Sequence, residues 1–209
     1  MELPKLYLIS DRLGCQNLYS TVEESFKGGL RMFQLREKDL SSRELLELAR
    51  DFRELSHRFN ALLIINDRLD IALAVGADGI HVGINSMPVP IIKNTLSRLN
   101  QDMMIGYSAH SLDEALKVMT YGVDWITYSP IFDTPSKKSF GPPQGVDSLI
   151  EVINRVDIPV FALGGIKVHN IEKLKHTGVH GLAVISEIIS TDDPMAMTQR
   201  ILDELSHIS

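Results

Sequence analysis

Thiol chemistry is nearly absent from this chain of 209 residues, which holds one cysteine, Cys15. A lone cysteine closes no intramolecular disulfide, in keeping with a reducing compartment. No histidine or other base motif accompanies Cys15, so it reads as structural rather than nucleophilic. An excess of positive charge is missing too. With 21 Lys and Arg against 27 Asp and Glu the formal net charge is −6, and no whole-protein field favours nucleic acid or an anionic membrane surface. No apolar run approaches the ~20 residues that span a bilayer. Met1-Glu2-Leu3-Pro4-Lys5 lacks the basic and apolar regions of a signal peptide. The expected location is cytoplasmic, with neither nucleic acid nor membrane as partner. The 44% hydrophobic and 23% charged residues that remain suit one globular domain over residues 1–209.

Eight short apolar runs rich in β-formers recur along the chain: Lys5–Ser10, Arg31–Arg36, Ala61–Asn66, Gly79–Val82, Met103–Tyr107, Trp125–Ser129, Pro159–Leu163 and Gly181–Ile185. Between them Ser42–His57, Leu112–Thr120, Val168–His176 and Asp193–Leu205 carry apolar residues at helical spacing. Ser41 before Glu44 and Ser111 before Glu114 fit the capping box. Val75-Gly76-Ala77-Asp78, Tyr121-Gly122-Val123-Asp124 and Thr177-Gly178-Val179-His180 read as helix stops feeding strand starts. Strand–helix alternation implies a parallel sheet, and eight units favour an α/β fold of the (β/α)8 TIM-barrel type in a single domain. An open doubly wound sheet is the alternative. The loosest stretch is the polar loop Asp133–Pro143.

In such a barrel, polar residues at the C-terminal strand ends face a shared site. Alternation along Gln34-Leu35-Arg36-Glu37-Lys38 puts Gln34, Arg36 and Lys38 on one side; the plain alternative is that Arg36 pairs with a carboxylate such as Asp67. The third strand passes from core into Asn66-Asp67-Arg68. Asp67 suits a hard cation such as Mg2+, unless Asn66 or Asp67 caps the following helix. The fifth strand ends at Ser108-Ala109-His110-Ser111, where a loop role for His110 competes with catalysis. His57, His169, His176 and His207 read as surface residues. Thr134, Ser136 and Lys137, in the loop after the sixth strand, offer hydroxyls and charge for a phosphate. Gly164-Gly165 and Ile185-Ser186 close the seventh and eighth strands, the usual phosphate site of this fold.

In register, Tyr7-Leu8-Ile9-Ser10-Asp11, Gln34–Lys38, Ile65–Arg68, Gly79-Ile80-His81-Val82-Gly83, Ser108-Ala109-His110, Pro130–Lys137 and Ala162–Ile166 resemble the thiamine phosphate synthase superfamily, which includes the TenI-type thiazole tautomerases. The resemblance spans essentially the whole chain. It implies coupling of hydroxymethylpyrimidine diphosphate with thiazole phosphate, releasing pyrophosphate. Carried over, Gln34, Arg36, Lys38, Asn66 and Lys137 would hold pyrophosphate, with Ser108 assisting its departure, and Asp67 would bind Mg2+. Thr134, Ser136, Gly165, Ile185 and Ser186 would surround the thiazole phosphate. The implied catalytic set is Arg36, Lys38, Lys137 and Ser108, and the implied partners are the two small phosphorylated substrates.

Two positions depart from the subfamily patterns. Where synthases carry a second acidic metal ligand this chain has Ser86, which looks like the tautomerase branch. Where tautomerases carry a histidine it has Pro130, as synthases do. A tautomerase needs no pyrophosphate clamp, so the intact Gln34/Arg36/Lys38, Asn66/Asp67 and Ser136/Lys137 sets favour the synthase. The alternatives are a tautomerase, with His110 as acid/base, and a non-catalytic binder of thiamine-pathway phosphates. Helix faces allow a homo-oligomer, and nothing in the sequence fixes one.

Overall fold

A short local device recurs where a helix hands over to a strand. Gly76 sits at the C-cap of its helix with φ +59°, and Gly122 and Gly178 also take positive φ, +73° and +80°. That left-handed conformation is cheap for glycine and ends a helix. Two residues after the first two of these glycines stands an aspartate whose carboxylate accepts from the neighbouring strand. Asp78 Oδ2 accepts from the Leu63 N–H at 2.7 Å, and Asp124 Oδ2 from the Ile105 N–H at 2.6 Å. The same residues donate their own N–H groups to the Leu63 and Ile105 carbonyls. Each strand start is thereby tied to the strand before it.

The computed structural model describes residues 3–134 and 142–206. Its strands are β1 (Leu6–Ile9), β2 (Met32–Leu35), β3 (Leu62–Asn66), β4 (Gly79–Val82), β5 (Met104–Ala109), β6 (Trp125–Tyr128), β7 (Val160–Leu163) and β8 (Gly181–Val184). They pair in parallel in sequence order, and β8 returns to β1 to close a barrel. Helices α1 (Leu18–Lys27), α2 (Ser42–Arg58), α3 (Leu69–Val75), α4 (Val89–Arg98), α5 (Leu112–Thr120), α6 (Gly145–Ile153), α7 (Ser186–Ile189) and α8 (Pro194–Leu205) lie between and after them. The fold is the (β/α)8 barrel that the alternation implied.

Strands buried on both faces need apolar residues at both parities, and two packed clusters result. Tyr7, Ile9, Met32, Ile64, Trp125, Phe161 and Ala183 fill one, inside the barrel. Leu6, Leu8, Phe33, Leu35, Leu63, Ile65 and Ile126, of opposite parity, join the larger cluster beneath the helices. Burying each Leu, Ile, Phe or Met side chain among them contributes roughly 1.5–3 kcal/mol. Gly106 makes the interior fit, because a Cβ there would meet the Trp125 ring at 2.2 Å and His81 Nδ1 at 2.5 Å.

Both capping motifs form, with one difference. At α2 the box is complete, Ser41 accepting from the Glu44 N–H and Glu44 from the Ser41 N–H. At α5 the Ser111 side chain caps the Glu114 N–H, but the Glu114 carboxylate takes the His110 N–H at 2.8 Å and the Tyr107 hydroxyl at 3.0 Å instead. The expected helix Val168–His176 is a 3-10 segment, Val168–Leu174. Asn170 accounts for the difference: its side chain accepts from the Lys167 N–H and donates to the Gly165 carbonyl, both at 2.9 Å. Such side-chain bonds compete with an α-helical start, and so short a segment favours the tighter turn.

Candidate active site

The C-terminal strand ends build the site in layers. Its floor is the upper part of the barrel interior. Gln34, 1% exposed, donates from Nε2 to Tyr7 Oη at 2.5 Å, and burial pushes the Tyr7 hydroxyl well above its ordinary range. The His81 ring lies 5.9 Å from that of Tyr7, centroid to centroid. Its Nε2 is 2.9 Å from Ser108 Oγ, and Thr127 Oγ1 donates to the same oxygen at 3.4 Å. Burial first, and the Arg36 cation second, bring the His81 pKa down to about 3. The imidazole is therefore neutral at physiological pH and hands Ser108 a fixed hydrogen-bond neighbour rather than a charge.

Above the floor stand the polar and charged side chains of the strand ends. Arg36 is half-buried, with neither hydrogen bond nor ion pair to its guanidinium among the described residues, and its backbone N–H is fixed by Ser10 Oγ at 2.8 Å. Pairing with Asp67 is thus not its role. The intervening Glu37 turns the other way, accepting from Ser10 Oγ at 2.5 Å and the Arg12 N–H at 3.1 Å; burial raises its pKa against those bonds. Lys38 and Asp67 are exposed at the rim and Asn66 is half-buried beneath Asp67. Asp67 holds φ +65°, and α3 has Arg68 as N-cap without a side-chain capping bond. Neither Asn66 nor Asp67 caps that helix.

His110 is anchored through its ring. Nδ1 lies 2.8 Å from the Ser129 carbonyl oxygen, an acceptor only, so Nδ1 donates to it and the ring orientation is fixed. His57, His169 and His176 are exposed, as the sequence suggested. Ser136, Lys137 and His207 lie outside the described residues; Thr134 is half-buried at the edge of that segment.

On the β7–β8 side, Gly164 and Gly165 take φ +96° and +68°, and a Cβ on Gly165 would meet the Asp133 carbonyl at 2.6 Å. The β6 loop follows the turn, its Ile131 and Phe132 N–H groups donating to the Leu163 and Gly164 carbonyls at 3.0 Å each. The glycines are thus required for loop packing whatever they bind. Ile185 packs against the interior cluster and Ser186 opens α7. The Ser186 hydroxyl accepts from Lys167 Nζ at 3.2 Å. The sequence reading did not single out Lys167, because a lysine after a glycine turn carries no pattern of its own.

This arrangement can hold two anionic groups at one mouth, one among the β2–β3 side chains and another at the ends of β7 and β8. The thiamine monophosphate synthase family model matches residues 6–188. The chain belongs to that family. A Geobacter sulfurreducens protein, named provisionally as a thiamine-phosphate synthase, is 46% identical over 199 residues, covering 94% of this chain and 92% of its own. The thiamine-phosphate synthase of Clostridium tetani is 42% identical over 190 residues, 90% of this chain and 89% of its own. Among solved structures, thiamine phosphate pyrophosphorylase from Pyrococcus furiosus superposes with a TM-score of 0.89 at 33% identity, over 98% of this chain and 96% of that one.

Among the described residues no three His, Cys, Asp or Glu side chains gather to hold an ion. Ser86 turns back on its own loop, its hydroxyl accepting from the Gly83 N–H at 2.9 Å. The single exposed carboxylate of Asp67 fits Mg2+ that arrives on a diphosphate and keeps several waters, rather than a cage built by protein. No helix among the described residues is long and apolar enough to cross a membrane.

Proposed function

We propose that this chain is a thiamine-phosphate synthase, joining hydroxymethylpyrimidine diphosphate to thiazole phosphate with release of pyrophosphate. The observation that carries the reading is the Arg36 guanidinium, presented at the C-terminal mouth with no protein partner among the described residues. A half-buried cation that no described side chain pairs suits an anionic ligand.

In this reading Gln34, Arg36, Lys38 and Asn66, with Lys137 from the loop after β6, hold the diphosphate. As its C–O bond breaks, charge accumulates on the leaving oxygen, and prepositioned cations lower that barrier without reorganising. Ser108, steadied by neutral His81, donates toward the departing group. Asp67 would hold Mg2+, whose contribution is to neutralise pyrophosphate. The pyrimidine-stabilised cation is then captured by the thiazole nitrogen, with the thiazole phosphate kept by Thr134, Ser136, Gly165, Ile185 and Ser186.

Ser86 favours a second reading, thiazole tautomerisation, with His110 Nε2 as base. Purified protein given both precursors and Mg2+ is expected to form thiamine phosphate and pyrophosphate in equal amounts and to stop on chelation. Conversion of a thiazole carboxylate phosphate to its aromatic tautomer without metal, and no pyrophosphate, would overturn the synthase assignment.

A further inference from the structure

Lys167 follows the glycine turn after β7, and its backbone is fixed through Asn170. Its side chain crosses to the loop after β8, where Nζ lies 2.9 Å from Glu187 Oε2 and 3.2 Å from Ser186 Oγ. The other carboxylate oxygen of Glu187 accepts from the Val168 N–H at 2.9 Å. Exposure differs between the partners: the Glu187 side chain is 14% exposed and that of Lys167 38%. The carboxylate is a half-buried post held from two sides. The ammonium is the accessible end, with a third donor left over.

The groups assigned to the thiazole phosphate at this end, Gly165, Ile185 and Ser186, carry no formal charge. A phosphate monoester is largely a dianion at neutral pH, its second pKa being about 6. We infer that Lys167 is a phosphate-binding residue of the β7–β8 end, supplying the cation that this neutral set lacks. Naming the ligand as thiazole phosphate rests on the proposed function; the recognition of a phosphate dianion does not. Glu187 then has two effects, aiming the ammonium at Ser186 and competing with the incoming phosphate for it.

Titration of the full chain with inorganic phosphate, followed by calorimetry, tests this without turnover. Lys167→Met is expected to weaken phosphate binding about tenfold, the loss of one charge-assisted contact at a half-exposed site, and Lys167→Arg to recover most of it. Glu187→Gln keeps an acceptor for the Val168 N–H and removes the competing charge, so it should bind phosphate more tightly than wild type. In pyrophosphate-release assays the Lys167→Met effect should fall on KM for thiazole phosphate and spare KM for the pyrimidine diphosphate. Absence of phosphate binding to wild type, equal binding by Lys167→Met, or weaker binding by Glu187→Gln would overturn the inference. Lys167-dependent phosphate binding without any pyrophosphate release would instead uphold it and overturn the proposed reaction.

Discussion

Lowering the pH asks His81 for a charge that its surroundings refuse. The residue is 3% exposed inside the barrel, and burial, followed by the Arg36 cation, takes its pKa from 6.5 to about 3. The unfolded chain accepts the proton near its ordinary value while the folded chain does not accept it until about 3. Between those values the unfolded state binds more protons. His81 therefore contributes stability that is present above about 6.5 and lost as the pH falls toward 3, at about 1.4 kcal/mol per pH unit. From pH 6.5 to 4.5 the loss amounts to about 2 kcal/mol. Glu37 works in the opposite sense, because its raised carboxyl pKa favours the folded state as pH falls, so the informative quantity is the difference between wild type and His81→Gln. Urea unfolding followed through Trp125, whose ring lies 6.0 Å from His81, reads that difference. The glutamine chain is expected to lose about 2 kcal/mol less than wild type across the window. Parallel curves would refute a buried, neutral His81.

Arg36→Met should lower turnover by about 10²–10³-fold while changing unfolding free energy by less than about 1 kcal/mol, since no described residue pairs with its guanidinium; kinetics beside a urea melt separate the two. Gly165→Ala places a Cβ 2.6 Å from the Asp133 carbonyl at φ +68°, and thermal unfolding should report a loss of about 2–3 kcal/mol. Asp67→Asn should raise the Mg2+ concentration needed for half-maximal turnover and leave folding intact; a variant with unchanged metal dependence removes Asp67 from the metal's partners.

All eight strands were legible because a strand buried on both faces is written as a compact apolar run, and Gly76-Ala77-Asp78 and Gly122-Val123-Asp124 mark where β4 and β6 begin. The placement of Gln34, Asn66 and Ser108 was legible for a related reason: each is a polar residue that interrupts such a run toward its C-terminal end. The 3-10 character of Val168–Leu174 was not, since it depends on where the Asn170 amide finds partners, and helical spacing is blind to that. Glu114 reads locally as a cap completing a box, yet it is drawn away by Tyr107 and His110, partners set by the β5 register. His81 and Lys167 escaped for opposite reasons. One sits mid-strand in an apolar run, where its neighbours across the barrel decide its state. The other is an ordinary surface lysine until Ser186 and Glu187 are brought beside it.

The coupling reaction itself is tested most directly by pyrophosphate release from wild type and a Ser86→Asp chain, each given both precursors and Mg2+. A synthase in which Asp67 alone receives a substrate-borne ion should release pyrophosphate as wild type, with Ser86→Asp altering chiefly its demand for Mg2+. Silence from wild type and activity only in Ser86→Asp would contradict this, and would mean that the barrel keeps the architecture of the coupling site while its present chemistry lies with the thiazole.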